Sequence, residues 1–277
     1  MSTGERQHYL PATLLGGFGM ARGDRLREAE LRWRRRNSGI VLATKAESIG
    51  WRSRMYRLAN PAPGVDPDVV DTVWDTIEPY LHQLVSELEA GSTDPVIQQA
   101  FLVYAAMVGV RHPDFGDALN RWYAEAGQPA ISGDAVQMAR LKVMSNGLQT
   151  LLPSMRWRFL HSPSDAPRFT ISDRGWTYIG QHNRPGRGLY IPLNSRVAAV
   201  GWEGPAGGFD HQVLRPNYVR WLNAAIWTDA SEFVAGHPES EAELQTQRTA
   251  REVSHRITLV NGAFRDIPGR RYLFDEI

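Results

Sequence analysis

The spacing of apolar residues predicts a helical middle to the chain. Over residues 75–150, apolar side chains recur every three or four positions, which is the repeat of helices that bury one face. Asp94 followed by Pro95 has the preferred order of cap and proline for a helix start, and that helix extends to residues 111–113. Because it is apolar on most faces, we predict that it is the central, most buried helix. Two further helices are predicted over residues 115–126 and 133–147.

Two capping-box patterns indicate further helix starts. Asp75 and Glu78 have the spacing for reciprocal capping, so a helix is predicted from this point through Glu89. Thr44 and Glu47 have the same spacing and predict one or two helical turns near the N-terminus.

On both sides of the helical middle the apolar repeat changes to two, the period of a strand. Strands are predicted over residues 31–34, 39–42, 156–160, 168–171, 176–179, 189–193 and 197–200, the first two forming a hairpin. Glycine and proline predict a linker at residues 59–68 and breaks at residues 185–188 and 204–208. A helix over residues 216–235, a polar helix over Glu239–Glu252 and a short strand-like end complete the prediction.

This order of elements predicts an α+β fold rather than alternating α/β. The parts are an N-terminal β-hairpin, a central helical bundle, and C-terminal antiparallel strands followed by helices. We expect a single domain over residues 1–236 and a helical extension over residues 237–277. Within the domain we place the hairpin in residues 1–58, the helices in 66–150, the strands in 155–203 and the last helix in 216–236.

The composition narrows the classes of function. The chain of 277 residues has no cysteine, which excludes disulfides, thiolate zinc sites, iron–sulfur clusters and a cysteine nucleophile. There is no signal-like apolar segment at the N-terminus and no apolar run near the roughly 20 residues of a membrane span. We therefore expect a cytoplasmic protein with no membrane partner.

Charge is unevenly distributed along the chain. Residues 1–60 hold twelve Lys/Arg and five Asp/Glu, whereas residues 61–140 hold three and twelve, so the net charges are +7 and −9. A basic segment of this kind can mark a nucleic-acid face. Because the two charges nearly cancel, we favour docking of the basic part onto the acidic middle.

A short early motif, Gln7-His8-Tyr9-Leu10-Pro11, is the main candidate for chemistry, because its tyrosine and proline restrict the backbone beside an imidazole. Together with later motifs it resembles a bacterial family of proteins of unknown function, whose members open with Gln-His-Tyr-(Ile/Val)-Pro. The matching pieces, spread over residues 6–236, are Leu14 to Phe18, Ile77-Glu78, Arg111-His112-Pro113, Phe169 to Asp173, Pro192 to Ser195, and Leu222-Asn223. Two positions depart from the family pattern: Ala12 replaces a glutamine, and Arg174-Gly175 replaces a proline. The resemblance implies which residues to examine and supplies no reaction.

Four residues at these motif positions are candidate catalytic residues: His8, Glu78, Arg111 and Asp173. We expect His8 to be a general acid or base oriented by Asp173. Arg111 would hold an anion, and Glu78 would be a second acid–base or positioning group. Such a set suits hydrolysis or transfer at a phosphodiester, glycosidic or acyl centre. The alternative is a structural cluster, in which the histidine bonds Asp173 and the arginine pairs with Glu78.

Candidate binding residues are Gln7, Tyr9, Arg34 and Asn223. Arg34 follows Trp33 in an alternating pattern that suits phosphate contact with base stacking. Exposed arginines on an edge strand, which discourage aggregation, give the same pattern, and we favour that reading.

Metal binding is the remaining possibility for chemistry. Possible ligands are His8, Asp173, His182 and His211, but no pair has the sequence spacing of metal ligands. His161 and His182 are expected in loops. No metal site and no cofactor is therefore predicted, with a divalent metal ion as the alternative.

These patterns predict an intracellular enzyme of unknown substrate, a hydrolase or nuclease-like protein that uses the cluster of His, Asp, Glu and Arg. Its partner would be a nucleic acid or another phosphate-containing ligand. The alternative is a non-catalytic module of a bacterial defence or mobile-element system that binds a ligand or partner.

Overall fold

The computed structural model of the chain describes residues 6–21, 23, 25–181, 184–203, 208–246, 257–260 and 263–266. N-terminal strands come first, helices follow in the middle, and C-terminal strands then precede further helices. The predicted α+β class is confirmed.

The helices in the middle of the chain lie close to their predicted positions. Within the described residues the helices are α1 (Ala12–Gly16), α2 (Val69–Trp74), α3 (Leu81–Glu89), α4 (Pro95–Arg111), α5 (Phe115–Glu125), α6 (Asp134–Asn146), α7 (Leu152–Ser154), α8 (Pro216–Asp229) and α9 (Glu241–Thr246). Asp94 caps α4, since its carboxylate accepts a hydrogen bond from the Val96 N–H at 2.8 Å. The start of that helix is therefore confirmed.

The strands of the described residues form three sheets. They are β1 (Arg6–His8), β2 (Glu30–Arg35), β3 (Val41–Lys45), β4 (Trp51–Ser53), β5 (Met155–His161), β6 (Ile171–Ser172), β7 (Thr177–Gln181), β8 (Arg184–Pro192), β9 (Val197–Glu203), β10 (Gly208–Val213), β11 (Phe233–Gly236), β12 (Ile257–Val260) and β13 (Ala263–Asp266). The sheet orders are β1-β4, then β10-β5-β9-β8-β7-β12-β13, then β3-β2-β11-β6. The predicted hairpin is confirmed as the antiparallel pair β2–β3.

Aromatic packing joins the helical middle to the seven-stranded sheet. The ring of Phe101 on α4 meets the rings of Trp157 and Phe159 on β5 edge-on, with centroids 4.9 and 5.0 Å away. All three side chains are fully buried. Burying each such side chain contributes roughly 1.5–3 kcal/mol, so this contact fixes α4 on the sheet.

The capping box predicted at Asp75 and Glu78 is wrong. Asp75 follows the C-terminus of α2, and α3 begins only at Leu81, after a 3-10 turn over Glu78–Tyr80. Glu78 accepts a hydrogen bond from Arg111 instead of capping a helix. An exposed N–H at a helix start can bond water instead of a side chain, whereas the buried guanidinium of Arg111 needs an anion. The carboxylate of Glu78 therefore pairs with Arg111.

The second capping box is also wrong, although the helical turn predicted beside it is present. Residues Ala46–Ser48 form a single 3-10 turn, and no side chain caps it.

The break predicted at residues 185–188 is wrong as well, because these residues lie inside β8. A Cβ on Gly188 would come within 2.6 Å of the Ile179 carbonyl oxygen, so that glycine permits close strand pairing rather than a turn.

Two strands of the C-terminal half were not predicted. β10 pairs in parallel with β5, and β11 follows α8 where the helix was expected to continue through residue 235. The described side chains of β10 are half-buried or exposed, without the alternation that marks a strand in sequence. The polar helix expected over Glu239–Glu252 is shorter at its start, with α9 beginning at Glu241, and residues 247–252 lie outside the described part.

The predicted C-terminal extension contacts the rest of the chain at α9. This helix packs against β2 and buries Leu244 completely.

The basic N-terminal part meets the acidic middle at an ion pair of Arg57 with Asp68, 2.7 Å long. Among the helices of the described residues, none is long and apolar enough to cross a membrane.

Candidate functional site

An open cleft of about 580 Å³ lies where β1 and α1 face α2 and the turn that follows it. Its lining residues are Arg6, Gln7, His8, Ala12, Thr13, Arg27, Asp68, Asp71, Thr72, Asp75, Glu78, Pro79 and Arg111. Three of the four predicted catalytic residues, His8, Glu78 and Arg111, therefore meet at one site. The volume falls in the range of about 300–1,000 Å³ that is usual for small-molecule sites.

Pairing of β1 with β4 positions the N-terminal motif. His8 lies opposite Trp51 and Gln7 lies opposite Arg52. Because side chains alternate along a strand, Gln7 is buried while His8 is only half-buried. The Gln7 amide oxygen accepts the backbone N–H of Tyr56 at 2.6 Å, which holds the strand against the following segment.

Arg111 forms the floor of the cleft and is only 3% exposed. One guanidinium nitrogen donates to Glu78 at 2.5 Å, and another donates to the backbone carbonyl of His8. The guanidinium carbon also lies 5.2 Å from the ring centroid of Trp74 and 5.9 Å from that of Tyr56. Arg111 thus fixes the backbone of the histidine and has two of its nitrogens already in use.

The imidazole of His8 has few structural contacts. Its Nε2 lies 3.4 Å from the backbone carbonyl of Glu47, which is a long hydrogen bond. Burial lowers the pKa of His8 below 6.5, and the charges of Arg27 and Arg111 lower it further, whereas the Glu47 carbonyl and the charge of Glu78 oppose the shift. The ring is therefore mainly neutral at pH 7 and able to accept a proton.

Asp71 is a site residue that the sequence patterns missed. Burial raises the pKa of its carboxyl from 3.8 to about 6, and the charges of Asp75 and Glu78 add to this rise, whereas Arg111 opposes it. Residues 68, 71, 75 and 78 are all acidic, and their spacing of three, four and three is that of one helix face. That acidic repeat was the available signal.

Asp173 does not lie with the other three candidates. Its Oδ1 accepts the backbone N–H of Ser231 at 3.0 Å, and its own N–H donates to the Phe233 carbonyl at 3.1 Å. The expected orientation of His8 by Asp173 is therefore wrong. Burial raises the pKa of Tyr9, and the charge of Asp173 raises it further, whereas Asp173 is not among the groups that shift the pKa of His8.

A family model described as "Protein of unknown function (DUF4238)" matches residues 6–240. The chain belongs to the DUF4238 family. No curated protein and no solved structure matches the chain. The DUF4238 match includes every residue that lines the cleft, and it also includes Asp173.

The remaining predicted binding residues of this DUF4238 chain lie outside the cleft. Tyr9 is 2% exposed and belongs to the core. Arg34 donates to the carbonyls of Ser38 and Leu244, both at 2.8 Å, and stacks over Trp227 at 4.6 Å. These contacts join β2 to α8 and α9, and β2 lies between β3 and β11 in its sheet. The favoured interpretation of Arg34 as an exposed arginine on an edge strand is therefore wrong, and the alternative of a phosphate contact has no support in these surroundings.

Asn223 is fully buried and has a structural set of hydrogen bonds. Its amide oxygen accepts the Thr170 N–H at 2.9 Å, and its amide nitrogen donates to the Arg168 carbonyl at 2.9 Å and to Glu243 at 3.0 Å. The residue therefore links α8 to the segment before β6 and to α9, and no part of it lines the cleft.

The possible metal ligands are dispersed in the DUF4238 chain. His211 lies 2.9 Å from His161, nitrogen to nitrogen, on neighbouring strands β10 and β5, and neither histidine lines the cleft. His182 lies outside the described residues. Over the residues that the structure describes, no group of three His, Asp or Glu side chains could hold a metal ion.

Proposed function

We propose that the protein is a hydrolase that acts on a small substrate in the cleft beside His8. The observation that carries this proposal is the pair of opposite pKa shifts in one open cleft. Burial lowers the pKa of His8 and raises that of Asp71 to about 6. A neutral imidazole and a carboxyl that is protonated near pH 6 are the two partners that general acid–base catalysis needs.

The roles follow from these protonation states. His8 accepts a proton from a water molecule, whose oxygen forms the new bond to the substrate. Asp71 donates its proton to the leaving group as the old bond breaks. Arg111 is a positioning residue, because it holds the backbone of His8 and pairs with Glu78.

The charges of the cleft favour a small substrate over a nucleic acid. Four carboxylates and three arginines line it, and two of the arginine nitrogens of Arg111 are already bonded. Nucleic-acid binding needs several free cations along the phosphate backbone. We therefore favour hydrolysis of a small molecule over a nuclease-like activity.

The test is hydrolysis of chromogenic substrates by the purified chain near pH 6. The panel is bis(p-nitrophenyl) phosphate, p-nitrophenyl glycosides, p-nitrophenyl esters and aminoacyl p-nitroanilides. We expect turnover of one class, with kcat lowered about 100- to 10,000-fold in His8→Gln and Asp71→Asn. Asp117→Asn, on the exposed start of α5, is the matched control and keeps the wild-type rate.

Stability measurements on the same variants separate catalysis from scaffolding. Since the His8 side chain has a single long hydrogen bond to the described residues, we expect His8→Gln to lower the free energy of unfolding by less than about 1 kcal/mol. Turnover of no class, or wild-type turnover by Asp71→Asn, would contradict the hydrolase proposal.

A non-catalytic binding module is the second candidate, and the bonding of Arg111 favours it. Arg111, the predicted anion clamp, is already bonded to Glu78 and to a backbone carbonyl. It therefore has fewer nitrogens with which to bind an anionic substrate. Ligand binding without turnover by the wild-type chain would select this function.

A further inference from the structure

Unpaired cations lie on one wall of the cleft. Arg6 belongs to β1, where its guanidinium stacks over Trp51 at 4.4 Å, and Arg27 lies in the turn Leu26–Glu28. Among the described residues, neither arginine forms an ion pair, although Arg25 nearby does so with Glu28. Each is therefore free to meet an anionic group.

Unpaired carboxylates lie on the other wall. Asp68 pairs with Arg57 at 2.7 Å, and Glu78 pairs with Arg111 at 2.5 Å. Within the described part of the chain, Asp71 and Asp75 have no such partner. Because Asp71 donates a proton in the proposed function, Asp75 is the carboxylate that this wall presents to a cationic group.

A buried donor between these walls also lacks a partner. Gln7 is 1% exposed, and its amide oxygen is used by the Tyr56 N–H. Its amide nitrogen lies close enough to Asp71 to lower the pKa of that carboxyl, but it has no hydrogen bond of normal geometry to any residue that the structure describes. Leaving a buried N–H without an acceptor has a cost in stability. An oxygen atom of a ligand in the cleft would remove that cost.

We infer that the cleft binds a small zwitterion, with an amine at Asp75 and an anionic group at Arg6 and Arg27. An acceptor oxygen of the ligand bonds the Gln7 amide nitrogen. Opposite charges on separate walls select a ligand that carries both, because a singly charged molecule leaves one wall unmatched. The inference deepens the proposed function, since it names the substrate class of the same cleft.

The experiment is calorimetric titration of the full chain with probes that are not hydrolysed. γ-Aminobutyrate is compared with butylamine and butyrate, and ε-aminocaproate with hexylamine and hexanoate. O-Phosphoethanolamine is compared with ethanolamine and inorganic phosphate, which distinguishes a phosphate from a carboxylate. We expect at least one zwitterion to bind about tenfold or more tightly than both of its singly charged counterparts.

Variants assign each charge of the probe to a wall. Asp75→Asn is expected to remove the advantage over the carboxylate or phosphate probe, and Arg27→Gln is expected to remove the advantage over the amine probe. Arg25→Gln and Asp117→Asn are the matched controls and retain wild-type binding.

Equal binding of a zwitterion and a singly charged probe, or binding of no probe, overturns the inference. In either case hydrolysis of a chromogenic substrate would still support the proposed function. Binding of a zwitterion without hydrolysis of any substrate supports the inference and rejects the hydrolase.

Discussion

Replacing Arg111 by methionine is expected to lower the free energy of unfolding by about 3–5 kcal/mol. The substitution removes a guanidinium that is 3% exposed. Glu78 loses its cation, the carbonyl of His8 loses its donor, and the rings of Trp74 and Tyr56 lose the stacked charge. Urea unfolding of the variant and of the wild type measures the difference.

Arg57→Met is the matched control for this prediction. Arg57 also pairs with a carboxylate, that of Asp68, but its side chain is 42% exposed. Such a surface pair contributes about 0–1 kcal/mol, so the control should remain close to the wild type. If Arg111→Met is as stable as the control but loses ligand binding, Arg111 is the anion clamp that its sequence position suggested.

Replacing Asp173 by asparagine is expected to change how stability depends on pH. Burial raises the pKa of this carboxyl from 3.8 to about 6, against the hydrogen bonds from Ser231 and Phe233, which lower it. The folded state therefore holds a proton that the unfolded state has already released. The stability linked to this proton is fully present below pH 3.8 and is lost as pH rises through about 6.

The difference between the two pKa values corresponds to about 3 kcal/mol. Between about pH 3.5 and about pH 7.5, the free energy of unfolding of the wild type should fall relative to that of Asp173→Asn by this amount. Asparagine retains an oxygen that can accept the Ser231 N–H, so the comparison isolates the charge. A constant difference across this pH range would show that the carboxyl has an ordinary pKa. Asp117→Asn, at an exposed position, serves as the control.

Local signals predicted much of the helical middle and the first hairpin. The cap and proline at residues 94 and 95 act on their own helix, and α4 begins where they predict. The alternation in residues 31–42 likewise predicts β2 and β3. Such signals depend on neighbours within a few positions, which is why they are legible in a single sequence.

Those local signals could not predict pairing between segments that are distant in sequence. β10 pairs with β5 some fifty positions earlier, and its own residues show no regular alternation. Glu78 has the spacing of a capping residue, yet it turns to Arg111, thirty-three positions later in the chain. The residues near Glu78 in sequence do not indicate that a buried cation lies beside it in the fold.

The candidate site shows the same contrast between what local motifs predict and what tertiary packing decides. The motifs led to His8, Glu78 and Arg111, which the fold brings together at the cleft. Asp173 was assigned to them because its chemistry is complementary, but the side of a segment on which a partner lies is set by tertiary packing. Asp71 was missed because the segment before it was interpreted as a linker, so the short helix that carries it was not predicted.

The pH dependence of kcat/KM, measured on whichever substrate class is hydrolysed, tests the role of this cleft most directly. If Asp71 donates a proton to the leaving group, kcat/KM of the wild type falls as pH rises through about 6. In Asp71→Asn the rate is low and this fall is absent. A wild-type profile that is flat through pH 6, or an Asp71→Asn variant with the same profile and rate, would contradict the proposed function.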